Sequence, residues 1–183
     1  MIGRRLIAIV VFLGWFAAAA PPAATAPAPS LEYAVKATFL YKFIPFVQWP
    51  AASFETAASP VTICVFGNDA VSALIDDAVA NQRAEQRALT VRHLETVRRD
   101  AGCHILYVAA GNPQAEQAIA AFRGAPVLTV TDAARTGAAT GIINFELLGT
   151  RVGFDIDDAT AAQNGLAISS KLLSLARNVR TRP

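Results

Sequence analysis

The chain has 183 residues, of which 54% are hydrophobic and 16% are charged, and its formal net charge is +2 at pH 7. Arg4 and Arg5 belong to an apolar N-terminal segment, and without these two the 16 basic residues become 14, against 14 acidic residues. A domain with almost no net charge lacks the basic surface expected of a nucleic-acid-binding protein. The length suits one domain with a substantial core.

Residues 1–26 have the organisation of a secretory signal peptide. Arg4 and Arg5 form a basic region, Leu6–Phe16 is apolar, and small residues follow. The alternative is an uncleaved membrane anchor, but the apolar run of about 15 residues is shorter than the roughly 20 that span a bilayer. We therefore expect export, a Pro/Ala linker at 27–30 and a single domain at 31–183.

Between residues 31 and 130, helical and extended patterns alternate. Ser30 can cap a helix that starts at Leu31, and Pro45 kinks or ends that helix. The aromatic stripe of this helix, with Phe39 and Phe43, is typical of core packing against a sheet. Further segments are predicted as buried strands at Val61–Phe66, Cys103–Ala109 and Val127–Val130, and as an alternating strand at Leu89–His93. Helices are predicted after Gly67-Asn68-Asp69 and from Pro113 to Phe122.

Residues 141–175 change from an extended to a helical period. Two alternating runs joined at Leu148-Gly149-Thr150 predict a β-hairpin. An apolar stripe over 168–179 then predicts a C-terminal helix. The whole pattern predicts an α/β fold, layered, with a mostly parallel sheet flanked by helices and with a C-terminal β-hairpin and helix.

Cys64 and Cys103 are the two cysteines of the chain. An exported chain with an even number of cysteines favours a disulfide, which would close a loop of about 39 residues and contribute roughly 4 kcal/mol in the chain-entropy model. The alternative is two buried free thiols, because a bridge between neighbouring parallel strands must bring the Cα atoms within about 7 Å.

No motif in the sequence has the spacing of a catalytic or metal-binding site. Cys103 and His104 are neighbours in a predicted strand and point to opposite faces. His93 is the only other histidine, so no zinc site is expected. Ser170 and Lys171 are adjacent on a predicted helix and do not face each other as a nucleophile and base would. We predict no cofactor, no metal and no enzymatic activity.

An acidic cluster consists of Asp155, Asp157 and Asp158. It lacks the glycine and the closing glutamate of a calcium-binding loop. We expect Asp157 or Asp158 to cap a helix that begins near Ala159, with the other carboxylates in solvent.

Polar residues at two strand ends favour an alternative function as a small-ligand-binding module. Open α/β sheets bind ligands outside the carboxyl ends of their strands. Thr129, Thr131 and Asp132 end one predicted strand, and Asn68 follows another. These four side chains are a possible ligand crevice, whereas the plain alternative is a loop with a turn-forming aspartate.

Seven short segments together resemble the YfiR-like family of bacterial periplasmic proteins. The resemblance covers nearly all of the chain after the signal peptide, and it depends on the order and spacing of the set. The segments are Ala37–Tyr41 with Phe46 and Trp49-Pro50, Ile63–Val65, Cys103–Leu106, Val127–Val130 with Asp132, Gly141–Phe145, Val152 with Phe154, and Ile168–Leu173.

The resemblance implies a periplasmic negative regulator that binds the periplasmic sensory domain of an inner-membrane diguanylate cyclase. An outer-membrane lipoprotein that sequesters the regulator is implied as a second partner, and cyclic di-GMP and biofilm formation as the output. It also implies a homodimer. Cys64 and Cys103 correspond to one cysteine pair of the family, while residues 137–145 hold no cysteine for a second pair. Ser170 and Lys171 are a possible partner contact on the predicted C-terminal helix.

Overall fold

A computed structural model describes residues 30–132 and 140–182 of the chain. The predicted signal peptide at 1–26 lies outside the described residues. The helices are α1 Leu31–Lys42, α2 Ser72–Val79, α3 Ala115–Ala121, α4 Asp158–Gln163 and α5 Ser170–Leu173. The strands are β1 Val47–Gln48, β2 Val61–Phe66, β3 Arg83–Ala84, β4 Arg87–Leu94, β5 Ile105–Val108, β6 Leu128–Asp132, β7 Ile143–Leu148, β8 Arg151–Asp157, β9 Ala167–Ile168 and β10 Val179–Arg180.

One eight-stranded sheet organises the described part of the chain. Its strand order is β10-β8-β7-β6-β5-β2-β4-β3. Strands β4, β2, β5, β6 and β7 run parallel, while β8 pairs antiparallel with β7 and β3 pairs antiparallel with β4. The predicted α/β fold with a mostly parallel sheet and a C-terminal hairpin is therefore confirmed.

The two faces of the sheet support separate hydrophobic cores. All six residues of β2 are buried, because the strand is central and helices cover both of its faces. Ile63 and Val65 join the larger core under α1 and α2. Cys64 and Phe66 point the other way and join the smaller core under α3. This alternation is what a strand with both faces covered requires.

The aromatic stripe of α1 packs against the β7–β8 hairpin of the sheet, and the sequence pattern predicted core packing against a sheet. The rings of Phe39 and Phe43 stack with centroids 5.6 Å apart. Phe43 also meets Phe154 edge to face at 5.2 Å and lies 6.0 Å from Phe145. Pro45 lies in a short 3-10 helix directly after α1, which agrees with its predicted role as a helix breaker.

The predicted C-terminal helix over 168–179 is wrong in extent. Ile168 pairs with Val47 in a two-stranded sheet, and only Ser170–Leu173 forms a helix. Val179 pairs with Ile156 as part of β10. The apolar spacing of this segment fits a helix, but its backbone instead supplies a partner for β8 at the sheet edge.

The two outer edges of the sheet are covered unequally. At one edge, β10 pairs with the end of β8, and Arg177 donates its backbone N–H to the carbonyl of Phe154 at 2.9 Å. At the other edge, β3 pairs with β4 only at Arg87 and Ala88. Within the described residues no strand pairs with the outer edge of β4 over residues 89–94.

Candidate functional site

The carboxyl edge of the sheet contains an open crevice where the chain changes direction across the sheet. The connection from β2 leads to β4 on one side, whereas the connection from β4 leads to β5 on the other side. The resulting order β4-β2-β5-β6-β7 is the flavodoxin-like order, in which ligands bind between the first and third strands. The loops after β2 and β5 frame a crevice of about 490 Å³ at this position.

Asp69 fixes the loop between β2 and α2. Its Oδ1 accepts hydrogen bonds from the backbone N–H groups of Val71 at 3.0 Å and Ser72 at 2.7 Å. Its Oδ2 accepts from the hydroxyl of Tyr107 at 2.8 Å and from the N–H of Ala110 at 2.6 Å. The carboxylate of Asp69 thus lies at the N-terminus of α2 and joins it to the loop after β5. Because this helix end already holds a negative charge, it does not favour binding of an external anion.

The structure does not gather the four predicted crevice residues into one site. Asn68 lines the crevice between β2 and β5. Thr129 and Thr131 point to the α3 side of the sheet and accept hydrogen bonds from the N–H groups of Ile142 and Gly141. Asp132 follows Thr131 directly and therefore points to the opposite face.

The two threonines hold the start of β7 in place. Thr131 also donates its hydroxyl to Oδ1 of Asn144 at 2.6 Å, and Asn144 donates Nδ2 to the carbonyl of Gly141 at 2.9 Å. A Cβ at Gly141 would lie 2.7 Å from the carbonyl oxygen of Thr129, so only glycine allows this approach. The polar residues of this segment therefore support the sheet.

Asp132 belongs to a buried ion pair with Lys36 of α1. The Nζ of Lys36 lies 2.6 Å from Oδ2 of Asp132, and both side chains are fully buried. The same Nζ donates to Oε1 of Glu32 at 2.7 Å. Sequence reasoning missed the Lys36–Asp132 pair, because the Glu32–Lys36 spacing of four residues indicates only the local partner of Lys36. A buried charge is stable only when it is paired. The ion pair of Lys36 with Asp132 therefore joins α1 to the end of β6.

The predicted disulfide between Cys64 and Cys103 is present, with the two Cα atoms 5.6 Å apart. Both residues are buried in the smaller core. Cys103 precedes β5 rather than lying within it, so the bridge reaches diagonally from β2 to the entrance of its neighbour. The Cα separation lies within the range that a disulfide can bridge.

His104 is a structural residue at the amino end of the strands. Its Nδ1 accepts from the N–H of Thr62 at 3.1 Å, and its Nε2 lies 3.0 Å from the carbonyl oxygen of Ser53, to which it can donate. The ring stacks on Phe54 with centroids 4.4 Å apart. Burial lowers the pKa of His104, an effect increased by the charge of Arg87. The neutral imidazole is thus the form that this site stabilises.

The acidic cluster caps α4 and forms hydrogen bonds with the C-terminal residues that follow α5. Oδ1 of Asp157 accepts from the N–H of Thr160 at 2.8 Å, which confirms the expected cap of α4. Burial acts to raise the pKa of Asp155, but hydrogen bonds from Asn178 and Arg177 outweigh it and lower that pKa. Burial likewise opposes the hydrogen bonds from Arg180 and Thr160 that lower the pKa of Asp157.

Ser170 and Lys171 lie on the surface of α5, where both are exposed. The Nζ of Lys171 lies 5.7 Å from the centroid of the Phe46 ring. Leu175 follows in the chain with 64% of its surface exposed. These residues form a surface with an apolar part beside a positive charge, which we call the α5 surface. A protein contact at this surface remains a prediction.

In residues 30–132 and 140–182, no helix combines the length and apolar character required to cross a membrane. The same ranges contain no group of three or more His, Cys, Asp or Glu residues arranged to hold a metal ion.

Comparison with known proteins identifies the domain family. No curated protein gives a match. The profile of the YfiR/HmsC-like family matches residues 33–177, which covers most of the chain and nearly all of the described fold. The chain therefore belongs to the YfiR/HmsC-like family.

Proposed function

We propose that this protein is a periplasmic negative regulator that binds the periplasmic sensory domain of an inner-membrane diguanylate cyclase. The family match over residues 33–177 carries this proposal. Proteins of the family are periplasmic regulators rather than enzymes. The basic and apolar N-terminal segment of the sequence supports export across the inner membrane.

The regulator acts through a binding equilibrium. It binds the inactive conformation of the sensory domain more tightly than the active one and shifts the cyclase towards the inactive state. An outer-membrane lipoprotein that binds the regulator lowers its free concentration and releases the cyclase. Cyclic di-GMP then rises and promotes biofilm formation. The regulator itself forms a homodimer in this scheme.

The α5 surface is the proposed contact with the cyclase. Lys171 presents a charge 5.7 Å from the centroid of the Phe46 ring, and Leu175, four residues further along the chain, is exposed. Interfaces commonly combine an apolar centre with a charged rim, which gives both affinity and orientation. Ser170 lies beside Lys171 on the same exposed turn and can donate or accept a hydrogen bond.

Gene deletion tests the regulatory role. The strain without the gene should contain more cyclic di-GMP than its parent, because the cyclase loses its inhibitor, and mass spectrometry of nucleotide extracts measures this. Unchanged cyclic di-GMP would contradict the proposal.

Complementation then tests the α5 surface. Lys171→Glu should restore repression less well than wild type, since the charge at the contact is reversed. Lys42→Glu is the matched control, because Lys42 is also exposed and its Nζ lies 5.1 Å from an aromatic ring, that of Tyr41. Equal repression by the two variants would remove the α5 surface from the proposal while leaving the regulatory role intact.

A further inference from the structure

We propose that the crevice between the β2 and β5 loops binds a small amine that also carries a carbonyl or carboxylate oxygen. We call it the switch-point crevice. This inference is independent of the proposed regulatory function and needs no partner protein.

The position of the crevice is the first argument. Gly67 and Asn68 after β2 form one wall, and residues 110–114 after β5 form the other. Neighbouring connections leave this point in opposite directions across the sheet, so the two loops separate and leave an opening. The volume of about 490 Å³ is in the usual range for small-molecule sites.

Unused backbone donors are the second argument. In the described part of the chain, the N–H groups of Gly67, Asn68 and Gly111 donate no hydrogen bond. All three residues line the crevice. A Cβ placed on Gly111 would meet no atom within 4 Å, so this part of the wall is open. Such donors favour a ligand with an oxygen acceptor.

The charge of the rim selects the rest of the ligand. Glu95 lines the crevice, and among the described residues its carboxylate makes no hydrogen bond or ion pair. His93 also lines the crevice, and its Nε2 lies 2.6 Å from Oδ2 of Asp76. No lysine or arginine lines the crevice. A ligand ammonium group therefore suits Glu95, the acidic residue of the lining, whereas a phosphate would be repelled by that carboxylate and would find no lysine or arginine.

Part of the lining of the crevice is apolar. Phe66, Leu94 and Pro113 contribute to it, together with Ala109. A short aliphatic group on the ligand would cover this surface and remove it from water. Leucinamide carries all three features, namely an ammonium, a carbonyl oxygen and an aliphatic side chain, and serves as a probe.

Titration of the 15N-labelled protein with three probes tests the proposal. Leucinamide and leucine should shift the amide resonances of Gly67, Asn68 and Gly111. N-acetylleucine, which lacks the ammonium group, should not. Absence of any shift at these amides up to about 10 mM probe, where even a weak site would be detected, would overturn the proposal. Equal binding of N-acetylleucine and leucinamide would also overturn it.

Two matched variants locate the ammonium. Glu95 follows β4 directly, and Glu85 precedes the same strand at its opposite end. Glu95→Gln should weaken leucinamide binding about tenfold, as expected for loss of a charged hydrogen-bond partner, while Glu85→Gln should leave it unchanged. Equal effects of the two variants would overturn the assignment. Both side chains are exposed, so neither change threatens the fold.

Discussion

The two faces of the sheet are stabilised in different ways. On the α1 and α2 face, a large core with a cluster of phenylalanine rings surrounds the buried Lys36–Asp132 pair. On the α3 face, the core is small, and the residues that α3 itself buries are the alanines Ala115 and Ala118. Phe122 and the Cys64–Cys103 disulfide also belong to this core, together with apolar residues of β2 and β5.

The difference shows how covalent and non-covalent stabilisation are distributed in this fold. Alanine side chains bury little apolar surface, so α3 contributes less hydrophobic free energy than α1. A disulfide lowers the entropy of the unfolded chain whatever the size of the core. The face with the smaller core therefore has the covalent bond, and the face with the larger core accommodates a charged pair.

Breaking the buried ion pair should have the largest effect. Lys36→Met removes the ammonium group of the buried pair, and we expect a loss of about 3–5 kcal/mol in the free energy of unfolding. Urea denaturation monitors this loss. Lys42→Met, an exposed change on the same helix, should change stability by less than about 0.5 kcal/mol. Similar values for the two variants would contradict the role of the pair.

Removing the disulfide should have the next largest effect. The double variant Cys64→Ala/Cys103→Ala should lose about 2–4 kcal/mol. Reduction of the wild type should produce a comparable loss in the same denaturation assay. Because the two faces are separate, the effects of Lys36→Met and of the cysteine changes should add to within about 0.5 kcal/mol. Strong non-additivity would show that the two cores are coupled.

Asn164 connects the end of α4 to the α3 face. Its Oδ1 accepts from the N–H of Gly124 at 2.8 Å, and its Nδ2 donates to the carbonyl of Val127 at 3.3 Å. Asn164→Ala leaves both backbone groups without this partner in a buried site, and we expect a loss of about 2 kcal/mol. Gln163→Ala serves as the comparison, since Gln163 is the exposed last residue of α4. Equal decreases in the denaturation midpoints of the two variants would contradict the role of Asn164 in joining α4 to the α3 face.

His104 should make the free energy of unfolding depend on pH. This effect should be smaller than the losses expected from the substitutions above. Its pKa is lowered in the folded protein, so its contribution is complete above the unfolded value of about 6.5 and is lost as the pH falls towards the folded pKa. His104→Gln should therefore lose less stability than wild type between about pH 7.5 and pH 5. Carboxylates titrate in both proteins and cancel in this comparison. Equal losses would contradict the assignment of a buried neutral imidazole.

Most elements of the sheet could be predicted from the sequence, because buried strands and the hairpin have strong local patterns. The hairpin turn at Gly149-Thr150 and the break at Pro45 are also local. The segment 168–179 could not be predicted in the same way. Its apolar spacing suits a helix, but the side chain of Asp155 accepts from the N–H of Asn178 at 3.1 Å and draws that segment to the edge of β8.

Local sequence patterns could predict only part of the candidate sites. Alternation along a strand already implies that Thr131 and Asp132 point to opposite faces, so this part of the crevice could have been corrected from the sequence. The Lys36–Asp132 pair joins residues 96 positions apart, and no local pattern specifies it. The switch-point crevice depends on strand order, which only the assembled sheet reveals.

The uncovered edge of β4 has a consequence for the behaviour of the protein in solution. An open strand edge is a template on which another chain can add a strand. Arg92 and His93 are exposed near its end, and charged or titratable side chains at such an edge oppose uncontrolled pairing. A strand added at this edge would meet these two side chains, which therefore disfavour uncontrolled pairing there.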